Sequence, residues 1–236
     1  MKSIIIILII FLIIIFLTIF IYSILSSNQY KEFYNPSLNN KNKEFYDPLL
    51  FSKLKILQDN FDIIKNECLQ VYDKLPITDK MKRKQEEWND NIDNIHEFIK
   101  NNENKYWIPA WCDNWSNYAL MVKDITCPGI TKNICPNTTK ILESIGGINI
   151  AGFSLVHKNG VIHPHTDATG PSFGTLAYHL CISGESTLIV NNKNVIQKPG
   201  KVIIFNPEYT HSLINHTNED RIILYIDFIT DIFHNA

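Results

Sequence analysis

Runs of β-branched and aromatic residues, broken by Gly, Asn and Pro, restrict what the second half of this chain can become. They read GINIAGFSLV, TLAYHLCI, STLIVNNKNVIQ, GKVIIFNP and DRIILYIDFI. Segments of about four to eight such residues between turn signals are strands, and several at roughly ten-residue spacing close into a sandwich or barrel. Asn191-Asn192-Lys193-Asn194 marks a hairpin turn inside the third run. The chain from about Tyr106 onwards is therefore expected to be mainly β.

Ahead of it the pattern is helical. Between Leu50 and Leu75, apolar residues recur at three- and four-residue spacing (Leu54, Leu57, Phe61, Ile64, Cys68, Val71), which predicts an amphipathic helix. Met81 to Asn102 is highly charged, with Trp88, Ile92, Ile95 and Phe98 on one stripe, and reads as a second helix or a partly helical insert. Earlier still, KEFYNPSL at 31–38 is echoed by KEFYDPLL at 43–50. Two copies are too few for a solenoid, so the repeat is read as a stalk whose second copy opens the domain.

Residues 4–22 contain no charge, Gly or Pro. A helix of this length, extended to Leu25, spans a hydrocarbon core of roughly 30 Å. A cleaved signal peptide, the rival reading, has an apolar stretch of only about 7–15 residues. The expected organisation is a transmembrane anchor at 1–25, a stalk at 26–44 and one domain at 45–236. Within that domain a helical lead-in occupies 45–105 and the β core about 106–236. Lys31, Lys41 and Lys43 follow the span and lean towards a cytosolic carboxy-terminal part. The sequons at Asn114, Asn137 and Asn215 lean the other way. A single-pass protein with its domain in a lumenal or extracytoplasmic space (type II) is the expectation.

Composition removes some classes. A formal net charge of -2 offers no electrostatic footprint for nucleic acid. Five cysteines without a CxxC pair suggest neither a zinc finger nor a small disulfide scaffold.

The histidines are unevenly spread: His157, His163, His165, His179, His211, His216 and His234 all lie beyond residue 150. His165-Thr166-Asp167 is an HxD pair, His211 follows on a later run, and Arg221 opens the last one. Two imidazoles and one carboxylate on one face of a metal leave open positions, the facial triad of non-heme Fe(II) oxygenases. A fixed guanidinium suits a dicarboxylate co-substrate, which it grips through two parallel hydrogen bonds.

The segments FSLVHKNGVIHPHTD, LAYHL, GKVIIFNPEYTHSLIN and EDRIILYIDF, with FYDPLLFSKLKILQDNFDII at 45–64, resemble the aspartyl/asparaginyl β-hydroxylase family. That family of 2-oxoglutarate oxygenases includes bacterial lipid A hydroxylases. The resemblance implies a double-stranded β-helix (jelly roll) with helices ahead of it. It implies Fe(II) held by His165, Asp167 and His211, and 2-oxoglutarate bound by Arg221 and Ser154 with His179 beside it. Dioxygen and 2-oxoglutarate are then consumed, succinate is released, and a substrate C–H is hydroxylated. A peptide side chain of Asp or Asn type is the expected substrate; a lipid acyl chain is the alternative.

Two positions depart from the family. The animal peptide hydroxylase has glycine where Asp167 stands and binds iron through two histidines; the bacterial branch has a carboxylate, so a full triad is expected here. Ala177 stands two residues before the LxYH histidine, where the family usually has arginine, removing the second anion contact. Cys127 and Cys135 fall near a short disulfide loop of the animal enzyme, which leaves two readings open, a bridge between them or two reduced thiols. Outside the family, PEYTHSLIN and His163-Pro-His165 also resemble cupin motifs, although the cupin glutamate is missing. A catalytically silent binding module is the third reading.

Overall fold

The strand signals are realised as two facing sheets whose succession along the chain carries the backbone from one to the other. The computed structural model describes residues 34–35, 43–79 and 92–230. The apolar run at 4–22, most of the proposed stalk and the charged stretch before residue 92 lie outside the described residues. Among the described residues, no helix is long and apolar enough to cross a membrane.

In chain order the strands are β1 (Tyr34–Asn35), β2 (Phe45–Tyr46), β3 (Ile108–Pro109), β4 (Trp115–Val122), β5 (Ile125–Thr126), β6 (Ile148–Val156), β7 (Val161–His165), β8 (Thr175–Ser183), β9 (Ser186–Val190), β10 (Lys193–Gln197), β11 (Val202–Phe205), β12 (His211–Ile214) and β13 (Arg221–Ile229). The larger sheet has the order β1-β2-β11-β8-β13-β6-β4-β3 with β5 on β4; the smaller is β10-β9-β12-β7. From β6 onwards the chain alternates between the sheets except for the β9–β10 hairpin, which stays in the small one, the jelly-roll pattern. β2 belongs to the second copy of the repeat and β1 to the first, and the two lie parallel.

Asn191 and Asn192 take φ of 47° and 63° between β9 and β10. A two-residue type I′ turn needs positive φ at both positions, and asparagine tolerates it better than other side chains. This turn sets the register that later proves important, Gln197 opposite Ser186.

Helices cover the outer face of the large sheet. They are α1 (Lys55–Asp59), α2 (Phe61–Lys74), α3 (Ile92–Asn101), α4 (Thr131–Ile134) and α5 (Pro136–Ile145). The single helix expected over 50–75 breaks at Asn60, whose φ of -110° leaves the helical region and whose Nδ2 donates to the Ile56 carbonyl. Leu54, Leu57, Ile64, Cys68 and Val71 are nonetheless all buried, packed with Phe153, Tyr178, Leu180 and Leu224. Burying each Leu or Ile side chain contributes about 1.5–3 kcal/mol.

Helices α4 and α5, inside the stretch expected to be β, are a departure. Pro136 starts α5, where its missing N–H costs nothing. The cap comes from another helix: Glu67 on α2, 5% exposed, accepts from the Asn137 backbone at 2.9 Å, the Asn137 side chain at 2.8 Å and the Thr138 backbone at 2.7 Å.

Of the two readings for Cys127 and Cys135, the structure has the free thiols. Cys127 packs with Ile99 and Ile108, whereas the turn of α4 carries Cys135 into the main core beneath α2. Burial pushes the Cys127 thiol up to about 12. The sequons also change meaning. Asn215 is 1% exposed, and its Nδ2 donates to the carbonyls of Val156, His157 and Glu219 at 3.3, 3.1 and 2.8 Å. It is a turn anchor that a glycan would destroy.

Candidate metal centre and its anion pocket

β7 and β12 are antiparallel neighbours with His165 directly opposite His211. Opposed residues project to the same face of a sheet, so the last residue of one strand and the first of the next present two imidazoles side by side, 4.2 Å between ring centres. Beyond β7 the chain turns, held by the Asp167 N–H donating to the Pro207 carbonyl at 3.0 Å. One Asp167 oxygen thereby sits 3.7 Å from His165 Nε2, and the other 3.7 Å from His211 Nε2.

The ring orientation follows from the backbone. His165 Nδ1 lies 2.8 Å from the His163 carbonyl and His211 Nδ1 lies 3.0 Å from the Tyr209 carbonyl. A carbonyl accepts only, so each Nδ1 carries the proton and each Nε2 presents its lone pair, the arrangement of metal-binding histidine. Burial and the neighbouring His211 depress His165 despite the opposing pull of Asp167, favouring the neutral ligand form. All three donor atoms lie within 4.8 Å of one another. Right-angled ligands at about 2.1 Å from an ion stand roughly 3 Å apart, so a small contraction suffices. His163 is exposed and outside this group.

Aromatic rings wall the triad. Trp111 meets His165 edge-on at 5.2 Å, Trp115 tilts over it at 6.1 Å, and Phe205 stands against His211 at 5.3 Å. Trp115 Nε1 donates to Ser154 Oγ at 2.9 Å, placing Ser154 on the same inner face. Sequence reasoning did not single out either tryptophan; their only signal was the concentration of Trp at 107–115.

Arg221 is 1% exposed, and no carboxylate among the described residues pairs with it. Its Nε donates to Gln197 Oε1 at 3.0 Å, and Nη2 donates to the same oxygen. Burial lowers its pKa to about 10, leaving it cationic at neutral pH. An unpaired buried charge costs several kcal/mol, a cost that an anion beside it would offset. His179 lies one layer away, its Nδ1 3.0 Å from Gln197 Nε2. Gln197 was missed by sequence reasoning; its one signal was an inward position on a strand of alternating exposure.

Ala177 is fully buried in the inter-sheet cluster, and its register partner on β13 is Asp227. Asp227 is 1% exposed and accepts from Asn149 Nδ2 at 2.7 Å. Burial pushes its carboxyl up to about 6, against the hydrogen bonds from Asn149 and Thr175. Between the ordinary value of 3.8 and about 6, the folded chain holds a proton that the unfolded chain has released, so stability falls as pH rises through that window. Asp227→Asn is expected to remove this slope and to raise stability at pH 7 by about 2 kcal/mol, read from urea denaturation at a series of pH values.

A separate polar cleft of about 540 Å³ is lined by Tyr72, Asn114, His157, Lys158, Asn218 and Asp220 and shares no residue with the triad. Asp220 there accepts from Tyr72 Oη, the His157 ring and the Lys158 N–H at 2.8, 2.8 and 2.9 Å. These bonds outweigh burial and lower its pKa, while Tyr72 is pushed up to about 12, chiefly by its bond to Asp220. The network ties the start of β13, and so Arg221, to α2 and to the β6–β7 loop.

The family model for aspartyl/asparaginyl β-hydroxylase matches residues 58–231. The chain belongs to this family. Two relatives extend the comparison. An uncharacterised protein, L888, of Acanthamoeba polyphaga mimivirus is 34% identical over 131 residues, covering 52% of this chain and 46% of that protein. The ornithine lipid ester-linked acyl 2-hydroxylase of Rhizobium tropici is 31% identical over 100 residues, covering 40% of this chain and 34% of the enzyme. The matches thus span less than half the length of either relative. Among solved structures, a predicted oxalate decarboxylase from Thermotoga maritima superposes with a TM-score of 0.34 at 16% identity, over 49% of this chain and 80% of that one.

Proposed function

We propose that this member of the hydroxylase family is an Fe(II)- and 2-oxoglutarate-dependent oxygenase, tethered to a membrane by residues 4–25 with its domain on the lumenal or extracytoplasmic side. The observation that carries the reading is the pairing of a His-Asp-His triad with a buried arginine that has no carboxylate partner in the same barrel. The donor set fits iron, being two imidazoles and a carboxylate on one face with the other side open. Arg221, with Ser154 nearby, fits the distal carboxylate of a dicarboxylate.

Iron and 2-oxoglutarate, when bound, supply the redox chemistry that places one oxygen atom of dioxygen on a substrate C–H bond. The chain's own residues hold and orient. His165, Asp167 and His211 keep the metal, with their backbone-fixed rings presenting Nε2. Arg221 draws the co-substrate to the floor of the barrel. Trp111, Trp115 and Phe205 exclude water around the reacting centre. The substrate proposed is a peptide side chain. A second reading, an acyl chain, is favoured by the likeness to the Rhizobium lipid hydroxylase and by the tryptophans flanking His165.

The test uses the full chain in detergent with Fe(II), ascorbate and 2-oxoglutarate, offered Asp- and Asn-containing peptides or ornithine lipid. Succinate should form with one substrate class, and that substrate should gain one oxygen by mass spectrometry. His211→Ala should lose bound iron and at least about 100-fold of the rate, while His163→Ala retains its iron. Iron loss in His163→Ala would support the cupin reading instead; iron binding without succinate under any condition would support a silent binding module.

A further inference from the structure

The Gln197 side chain reaches from the small sheet to both Arg221 and His179 of the large sheet. It ends β10 in the small sheet, and strand alternation turns Val195 and Gln197 inwards while Lys193, Asn194 and Ile196 stay exposed. Gln197 itself is 1% exposed. Its Oε1 accepts from Ser186 Oγ at 2.9 Å and from Arg221 Nε at 3.0 Å, with Arg221 Nη2 on the same oxygen. Its Nε2 lies 3.0 Å from His179 Nδ1.

The chemistry of the partners allows one orientation. A guanidinium has five donors and no acceptor, so only the carbonyl end of the amide can face it. The amide NH2 must then face His179, and being a donor it requires an unprotonated Nδ1. A neutral imidazole whose Nδ1 accepts carries its proton on Nε2. Burial, with Arg221 and His211 nearby, holds His179 in the neutral form. Phe205 and Tyr225 clamp the ring edge-on at 4.9 and 5.5 Å, so rotation is not an escape.

We propose that Gln197 is a positioning residue with two tasks: it fixes His179 as an Nε2–H donor to the co-substrate, and it orients Arg221 without neutralising it. The second task explains why the position carries an amide. A glutamate there would place a carboxylate against the guanidinium and occupy the charge meant for the ligand. It would also accept from His179, moving the proton to Nδ1. The co-substrate part rests on the hydroxylase reading above; the tautomer part does not.

The experiment compares the full-length protein with Gln197→Glu and the near-isosteric Gln197→Met, each labelled with 15N at histidine. Side-chain 15N–1H correlation spectra assign the His179 tautomer, and 2-oxoglutarate titrations of succinate formation provide KM and kcat. The wild type is expected to show His179 protonated on Nε2. Gln197→Glu should move that proton to Nδ1 and raise the 2-oxoglutarate KM about 100-fold with a smaller change in kcat. Gln197→Met should keep the cooperative unfolding transition and lose the single tautomer. The proposal fails if wild-type His179 is protonated on Nδ1, or if folded Gln197→Glu changes neither tautomer nor KM. A tautomer switch in a protein that never turns over 2-oxoglutarate would instead overturn the hydroxylase reading and leave the Gln197 assignment standing.

Discussion

Under the proposed function, Arg221→Met is expected to raise the 2-oxoglutarate requirement by about two orders of magnitude while leaving metal binding and the fold intact. Losing one partner of a buried charge pair costs about 2–5 kcal/mol of binding, and every 1.4 kcal/mol is tenfold. In the free protein the same guanidinium is an uncompensated buried cation, 1% exposed. Replacing it by an apolar side chain of similar length removes that cost, and Gln197 Oε1 keeps its bond from Ser186. Function and stability should therefore separate: the urea midpoint stays level or rises while the KM climbs. An unchanged KM in a folded variant would show that the anion binds elsewhere.

Glu67→Ala is expected to destabilise the fold strongly for a polar substitution. Three N–H groups donate to its two oxygens, two of them from the first turn of α5. Truncation leaves the buried Thr138 N–H without a partner, hands the two Asn137 donors to water and removes a negative charge from a helix N-terminus. The loss should be about 2 kcal/mol, read as a drop in urea midpoint. Glu67→Gln retains an acceptor and should lose about half as much. Because α2 and α5 pack on the outer face of the large sheet, iron affinity measured at low temperature should not change. A midpoint shift below about 1 kcal/mol would mean that water replaces the cap.

Local signals were the legible ones. The paired asparagines at 191–192 specify their turn because positive φ is a property of the residues themselves. The period-two pattern of the strands and the buried stripe Leu54, Leu57, Ile64, Cys68, Val71 were readable because periodicity is a short-range property. His165 and Asp167 stand two residues apart, so one turn brings them together, and His211 on a later strand-like run completes the set of two imidazoles and a carboxylate. Other features were misread or left open because their neighbours are distant. Asn215 has the form of a sequon until its amide is seen to be spent on three carbonyls. Cys127 and Cys135 look like a pair along the chain, yet α4 turns them into different clusters.

By itself, then, the sequence determined the strand-rich second half, the helical stripe that covers it and the residue types of the candidate metal site. Each depends on interactions within a few residues, where the backbone leaves little choice. The tertiary structure decided what the buried polar groups mean. Arg221 and Gln197 lie 24 positions apart and Glu67 and Asn137 lie 70 apart. Glutamine on a strand or glutamate on a helix is ordinary until something faces it. What faces Gln197 is a guanidinium that can only donate and an imidazole that must therefore accept, and what faces Glu67 is an uncapped helix. A hydrogen bond or charge acquires its role from its partner and from the exclusion of water, and both are supplied by the fold.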